Sequence, residues 1–263
     1  MNKLEIPDNA LTEAVKSADK HVGQTYDNLT QPATKAVGNG VGDIVELVFS
    51  PFRFFKDGVN LFFEHKLKVY KKELEEKEKS IPADKKIEPD FHAVSMALDN
   101  SKFCITNDEL RKMFVNLIGN TMNSDKKDIA HPAFSEIIKQ MTTEDALILE
   151  TFRNMCEQPI IKVIVQLDEE KFRQISNRIF FPQSQNTKFY AENNIHPEKL
   201  SISISNCERL GLLDITYEHR LADDNLYSDY DKAIKGMKKE VSLEKGIVYL
   251  TEVGRAFIKA CME

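Results

Sequence analysis

Glycines, histidines and carboxylates are the residues of this sequence whose spacing could support chemistry. Gly38, Gly40 and Gly42 resemble the glycine-rich turn that cradles a phosphate group. No predicted strand precedes these glycines and no Lys-Ser or Lys-Thr pair follows them, so neither a P-loop nor a dinucleotide-binding turn is indicated. We interpret the glycines as a loop that leads into the next helix.

The histidines of interest, His131 and His196, each stand directly before a proline at the start of a predicted helix. Proline suits the first helical position because its missing N–H group has no intrahelical partner to lose there. We therefore interpret both histidines as local helix-capping residues in preference to metal ligands or general bases. No arginine is followed by a histidine four to six residues later, the spacing of many nucleolytic toxins, and HExxH and GxSxG motifs are missing.

Acidic residues cluster twice, within residues 73–78 of a charged helix and in a polar loop that contains Asp223, Asp224, Asp229 and Asp231. A metal site needs carboxylates that converge from different elements, so solvated side chains are the preferred interpretation over a site for a hard cation. The cysteines are scattered, with no CxxC pair for zinc, and are typical of buried thiols in a reducing compartment. We predict no catalytic residue, no metal and no cofactor, and therefore a protein that is not an enzyme.

Composition narrows the classes of partner. The chain has 263 residues, enough for one large domain or two smaller ones. Its net charge of −6 argues against a protein that coats nucleic acid or an anionic membrane by bulk attraction. The N-terminus lacks the basic start and apolar run of a secretion signal, so we expect a cytoplasmic protein.

Residues 1–40 are predicted to be a polar flexible segment, and residues 41–140 a helical domain with a phenylalanine-rich amphipathic helix. Apolar residues between 41 and 62 follow helical spacing, interrupted at Pro51. Charged residues break the run, so we predict no transmembrane helix. Packing on the domain itself or on a second copy is the preferred interpretation, and peripheral contact with the inner membrane is the alternative. The candidate contact residues are Phe49, Phe52, Phe55 and Phe62.

Residues 141–263 are predicted to form a winged helix-turn-helix-like domain. We expect helices at 143–155, 168–178 and 197–210 and an extended segment at 159–167. Two strands that flank a polar loop then precede a closing helix, "EVGRAFIKACM". The predicted fold class is mainly α with a small β-hairpin (α+β), in which a helical N-terminal half precedes the winged-helix-like domain.

Helix boundaries have their own local signals. A capping box pairs a threonine with an acidic side chain three residues later, and this spacing occurs at Thr106 with Glu109 and at Thr142 with Asp145. Gly211 predicts the end of the helix at 197–210, since glycine favours the left-handed conformation that ends helices.

The segment "AHPAFSEIIKQMTTEDALIL" resembles a segment of abortive-infection alpha proteins, in which a His-Pro helix start precedes an Ile-Ile-Lys-Gln stretch and a Thr/Ser–Asp-Ala helix. "ISNCERLGLLDI" and "YLTEVGRAFIKAC" are similar to two later landmarks of that family, and "VGDIVELVFSPFRFF" and "ELRKMFVNLIGNTMN" to its N-terminal half. The resemblance implies a bacterial phage-defence protein that limits phage spread by harming or halting the infected cell. It transfers no catalytic residue.

A DNA-binding regulator is the alternative to a defence protein that acts through contacts. The helix segment 198–210 carries no net charge, and residues 141–263 contain 16 basic and 20 acidic residues, a net charge of −4. Affinity for duplex DNA depends mainly on phosphate neutralisation, so we favour self-association or a protein partner. Under the DNA alternative, the candidate contacts are Arg209, Lys238 and Lys239. A cryptic nuclease toxin is a weaker alternative.

Overall fold

The computed structural model describes residues 60–166, 172–179, 197–228, 230–231 and 241–263. The chain divides into two compact units, one that ends at Lys79 and one that begins at Ser80. The helices are Asn60–Ser80 (α1), Phe91–Ser101 (α2), Asp108–Thr121 (α3), Ala133–Lys139 (α4), Thr143–Thr151 (α5), Pro197–Arg209 (α6) and Glu252–Cys261 (α7). The strands are Glu157–Gln166 (β1), Phe172–Ile179 (β2), Leu213–Thr216 (β3) and Val241–Leu250 (β4). Helix α1 belongs to the first unit, and the other elements form the second.

Helix α3 lies at the centre of the helical part of the second unit, where it contacts α2, α4, α5 and α7. Asn120 near its end donates a side-chain hydrogen bond of 2.8 Å to the carbonyl oxygen of Ala260 in α7. Asn120 precedes residue 140, where the sequence predicted a domain boundary, and Ala260 follows it. Segments of both predicted domains therefore hydrogen-bond to each other within the second unit. Phe114, Leu117 and Ile118 recur at helical spacing in α3, and all three are buried.

The strands form one antiparallel sheet in the order β2-β1-β4-β3. Strand β4 pairs with β1 from Glu157↔Tyr249 to Val165↔Val241, and the short β3 extends β4 on its other side. The predicted α+β class, mainly helical, is confirmed. The sheet is larger than the predicted hairpin because the segment expected to be extended at 159–167 becomes a central strand.

Strand β2 corrects the sequence-based prediction of a helix at 168–178. Apolar residues in this stretch recur at three- and four-residue spacing, which resembles one face of a helix. The structure instead pairs β2 antiparallel with β1, from Ile161↔Ile179 to Gln166↔Phe172, with irregular register in between. Because β1 supplies the hydrogen-bonding partners from elsewhere in the chain, local periodicity did not decide the structure.

Helix starts follow the predicted local chemistry at α5 and differ by one residue at α3. At α5, the Thr142 hydroxyl accepts the Asp145 N–H at 3.2 Å while the Asp145 carboxylate accepts the Thr142 N–H at 2.8 Å, which confirms the predicted capping box. At α3, the prediction of Thr106 is wrong, because the neighbouring Asn107 side chain accepts the first free N–H groups of the helix. Asparagine is a stronger N-cap than threonine.

The start and the end of α6 are confirmed. The helix begins at Pro197 and is followed by Gly211, whose φ of 72° is the left-handed conformation that glycine adopts without strain. Helix α5 ends at Thr151, four residues before the predicted end at residue 155. The chain turns at residues 152–156 instead, before β1 begins at Glu157.

Candidate functional site

Most of the predicted contact residues lie outside the residues that the structure describes: Phe49, Phe52, Phe55, Lys238 and Lys239. Phe62 lies in α1, where only its backbone is described. Across the described ranges, no helix combines the length and the apolar character that crossing a membrane requires. Arg209 is thus the predicted contact residue whose surroundings can be compared with its proposed role.

Arg209 is exposed at the end of α6 and is held by neighbouring amide groups. Its guanidinium donates hydrogen bonds to the side-chain oxygen of Asn206 at 2.8 and 3.1 Å and to that of Gln140 at 3.1 Å. At the other end of the helix, the Lys199 ammonium donates to Glu144 at 2.7 Å and lowers the pKa of that carboxyl. A DNA phosphate would therefore have to displace the carboxylate partner of Lys199, whereas the neutral amide partners of Arg209 leave its charge in place.

Asp145 joins the start of α5 to the outer edge of α6. Its side chain is 1 % exposed, and one carboxylate oxygen accepts both the Thr142 N–H and the Asn206 side-chain amide, at 2.8 and 2.7 Å. A polar group that is buried needs such hydrogen-bond partners, because an unsatisfied one is costly. These hydrogen bonds fix the position of α6 relative to α5. Asp145 therefore has a structural role.

The polar loop after β3 differs from the solvated acidic loop that the sequence predicted. Residues Leu221–Ser228, together with Tyr230 and Asp231, cross one face of the sheet, and we call them the strap. Tyr227 and Tyr230 are fully buried in a cluster with Ile161 and Val163 of β1. The hydrophobic packing of the two tyrosines anchors a segment whose acidic composition had indicated a solvated loop.

Tyrosine hydroxyl groups attach the strap to the backbone of the sheet. The Tyr227 hydroxyl donates to the Gly246 carbonyl at 2.7 Å and accepts the Leu221 N–H at 3.0 Å, and the Tyr230 hydroxyl donates to the Pro159 carbonyl at 3.0 Å. Burial raises the pKa of the Tyr227 hydroxyl, so it remains protonated and keeps its donor proton. The sequence signal that could have identified this anchor was the pair of aromatic residues at three-residue spacing.

The acidic residues of this segment have partners within the protein. Asp223 caps a short 3-10 helix, and Asp224 lies 3.1 Å from Arg220. Asp224 and Asp231 also flank the Lys245 ammonium. The predicted residue Asp229 lies outside the described residues. Across those residues, no group of three or more His, Cys, Asp or Glu side chains could hold a metal ion.

Two sequence landmarks meet where α6 ends and α7 begins. The Thr251 hydroxyl donates to the Gly211 carbonyl at 2.6 Å and accepts the Gly254 N–H at 2.9 Å, so it caps α7 and binds the turn after α6. The Thr251 N–H donates to the Leu212 carbonyl at 3.1 Å. A Cβ atom at Gly254 would lie inside 3.0 Å of that same carbonyl oxygen. The "LGLLDI" and "YLTEVGR" segments therefore form one closely packed junction.

An open cleft of about 580 Å³ lies in the second unit between Ile87–Asp90 and the turn from Lys127 to Pro132. His131 lines it and was predicted to act in helix capping. Its Nδ1 atom accepts the Ala133 N–H at 3.2 Å beside the start of α4, an interaction of the kind that the sequence predicted, while Pro132 is the N-cap residue. His196 lies outside the described residues.

The cysteines divide into an exposed and a buried class. Cys156 is exposed. Burial raises the pKa of the Cys104 thiol to about 11 and raises those of the other two buried thiols well above their ordinary value. A thiol with a raised pKa is a poor nucleophile near neutral pH. The buried class comprises Cys104, Cys207 and Cys261.

Comparison with known proteins gives one match. A family model described as abortive infection alpha matches residues 63–261, which is most of the chain and includes every described strand. No curated protein and no solved structure matches this chain. The match contains the junction between α6 and α7, the strap and the cleft.

Proposed function

The chain belongs to the abortive infection alpha family, and from that premise we propose that it is a bacterial phage-defence protein acting through contacts with a protein partner, a second copy or a membrane surface. The family match over residues 63–261 is the observation that carries this proposal. We place the protein in the cytoplasm, with peripheral attachment to the inner membrane as the alternative.

A non-catalytic action is part of the proposal, and it is supported by how the reactive side chains are used. The Nδ1 atom of His131 accepts the Ala133 N–H at a helix start. Asp145 is fully engaged between two helices. The buried thiols have raised pKa values. These groups stabilise the fold, and a group committed in this way is poorly suited to proton transfer or nucleophilic attack.

A DNA-binding regulator with a winged-helix arrangement is the second candidate. It is favoured by the order α6, β3, β4, α7 and by the pairing of β4 with β1 on one side and β3 on the other. The ion pair of Lys199 with Glu144 weighs against it. A gel-shift assay at low salt tests it. Under this candidate, Arg209→Ala and the double variant Lys238→Ala, Lys239→Ala weaken duplex binding.

Phage plating on cells with and without the protein tests the defence function. We expect fewer or smaller plaques on cells that make the protein. A protein that accumulates in folded form and leaves the plating of every tested phage unchanged would contradict the proposal.

The predicted amphipathic helix is tested with a Phe52→Asp, Phe55→Asp variant. Phe103→Asp is the matched control, because Phe103 is 74 % exposed in the second unit and lies outside the predicted stripe. We expect the double variant to lose protection and the control to keep it. Liposome flotation and light scattering after size exclusion then distinguish lipid contact from self-association. Protection that survives in the double variant would reject the stripe while leaving the defence function intact.

A further inference from the structure

A single lysine of β4, Lys245, contacts three residues of the strap. The Lys245 ammonium lies 3.5 Å from the Asp224 carboxylate and 3.6 Å from the Asp231 carboxylate. It also lies 5.1 Å from the centre of the Tyr227 ring. The Lys245 side chain is only 19 % exposed, whereas the two carboxylates are about half exposed.

We propose that the strap is a conformational device closed by Lys245, whose ammonium group holds Asp224 and Asp231, one on each side of Tyr227, on the sheet. Removal of this charge loosens the strap, so that it opens more often and uncovers the apolar face beneath it. The device does not depend on the proposed defence function, because it is defined by contacts within the second unit.

The alternation of side chains along β4 explains why Lys245 serves this role. Neighbouring residues of a strand point to opposite faces of the sheet. Lys245 therefore points to the face that the strap covers, and Glu244 points to the opposite face. The next residue, Gly246, offers its carbonyl to the Tyr227 hydroxyl. Lys245 and Gly246 therefore form one attachment point, at which an ion pair and a hydrogen bond reinforce each other.

The covered surface is apolar. Ile161 and Val163 are 2 and 3 % exposed, and Leu243 packs against the same cluster. The strap shields these residues with two tyrosine rings while its own acidic side chains face solvent. Opening the strap would expose a contiguous apolar patch of the kind that soluble proteins rarely leave uncovered. The closed strap therefore controls access to this face of the sheet.

Hydrogen exchange on the full-length protein tests the device. Lys245→Met keeps the length of the side chain and its packing over Tyr227 but removes the charge. We expect amide exchange in peptides covering the strap to become about tenfold faster, because the ion pairs with Asp224 and Asp231 are lost. Lys245→Arg should restore slow exchange.

Lys162→Met is the matched control. Lys162 lies on the opposite face of the sheet, is 22 % exposed, pairs with Glu244 at 2.8 Å and lies over an aromatic ring at 4.2 Å. It makes a similar set of contacts that does not include the strap. We expect Lys162→Met to leave exchange in the strap unchanged.

Helices α3 and α7 serve as internal references for global unfolding. Faster exchange confined to the strap in Lys245→Met supports the device. Exchange that stays at the wild-type rate in the strap overturns it, and so does equal acceleration of the strap in the Lys162→Met control. If Lys245→Met fails to fold, the double variant Asp224→Asn, Asp231→Asn removes the same ion pairs and must give the same local acceleration.

Discussion

Replacing Gly254 with alanine tests whether the junction between the turn after α6 and the start of α7 stabilises the C-terminal part of the chain. The added Cβ would lie inside 3.0 Å of the Leu212 carbonyl oxygen and 3.0 Å from both the Leu212 carbonyl carbon and a methyl group of Leu250. Two of these three neighbours are backbone atoms, which cannot move aside as the end of a flexible side chain can. The start of α7 must therefore shift away from the turn.

The size of the effect follows from three terms. Overpacking in a dense environment costs about 1–3 kcal/mol. The shift also weakens the Thr251 cap, whose hydroxyl bonds to both sides of the junction, and loss of such a cap costs roughly 0.5–2 kcal/mol. Alanine offsets about 1 kcal/mol of this, because it is the better helix former. The net loss is about 2 kcal/mol, which for a chain of this size lowers Tm by roughly 4–8 °C.

Thermal unfolding of the full-length protein, followed by circular dichroism, measures this loss. Ala256→Gly is the control, since it makes the reverse exchange in the same helix at a half-buried position. Helix propensity alone predicts that Gly254→Ala raises Tm and that Ala256→Gly lowers it. The steric argument predicts that both variants lose stability. A Tm of Gly254→Ala at or above the wild-type value would refute the steric argument.

Three further predictions concern single side chains. Thr251→Ala should destabilise the protein by about 1 kcal/mol while Thr251→Ser retains the cap, as measured by the urea midpoint. Lys199→Met should raise the pKa of Glu144 in an NMR titration, because the hydrogen bond from Lys199 is the largest cause that lowers it. It should also abolish the stabilisation by that pair, which is present above the unfolded-state pKa of Glu144 and is lost as the pH falls through the lower folded pKa. A thiol-reactive dye should label Cys156 rapidly in the native protein and reach the others only after unfolding, namely Cys104, Cys207 and Cys261.

The features that could be predicted from the sequence are those whose chemistry is local. The capping box at Thr142 and the glycine stop at Gly211 depend on residues within a few positions of one another, and the structure confirms both. The helical spacing of Phe114, Leu117 and Ile118 in α3 is also local, whereas the burial of residues on its other sides follows from contacts with four other helices. The cap predicted at Thr106 is at Asn107 in the structure. A capping signal of this kind does not distinguish between two adjacent polar residues that can both cap the helix.

The features that could not be predicted depend on contacts between distant segments. Strand β2 exists because β1 provides its hydrogen-bonding partners, and the helical spacing of its apolar residues gave the opposite indication. The strap is anchored by Tyr227 and Tyr230 in a segment that is otherwise acidic. Composition described the solvent side of that segment correctly and carried no information about the sheet beneath it. Only the register of β1 and β4 places the bonding carbonyl groups under the two tyrosines.

The same long-range contacts also bear on whether the protein acts through contacts with a partner or binds DNA. A net charge counts each lysine as available, yet Lys162, Lys199 and Lys245 each have a carboxylate partner in the fold. Such a pair has little net charge to attract a phosphate from a distance, and binding must first separate it. In sequence, residues 232–239 contain four lysines and no acidic residue, and they lie outside the described ranges. The DNA alternative therefore depends on these lysines and on Arg209, whose amide partners are neutral, and gains little from Lys199.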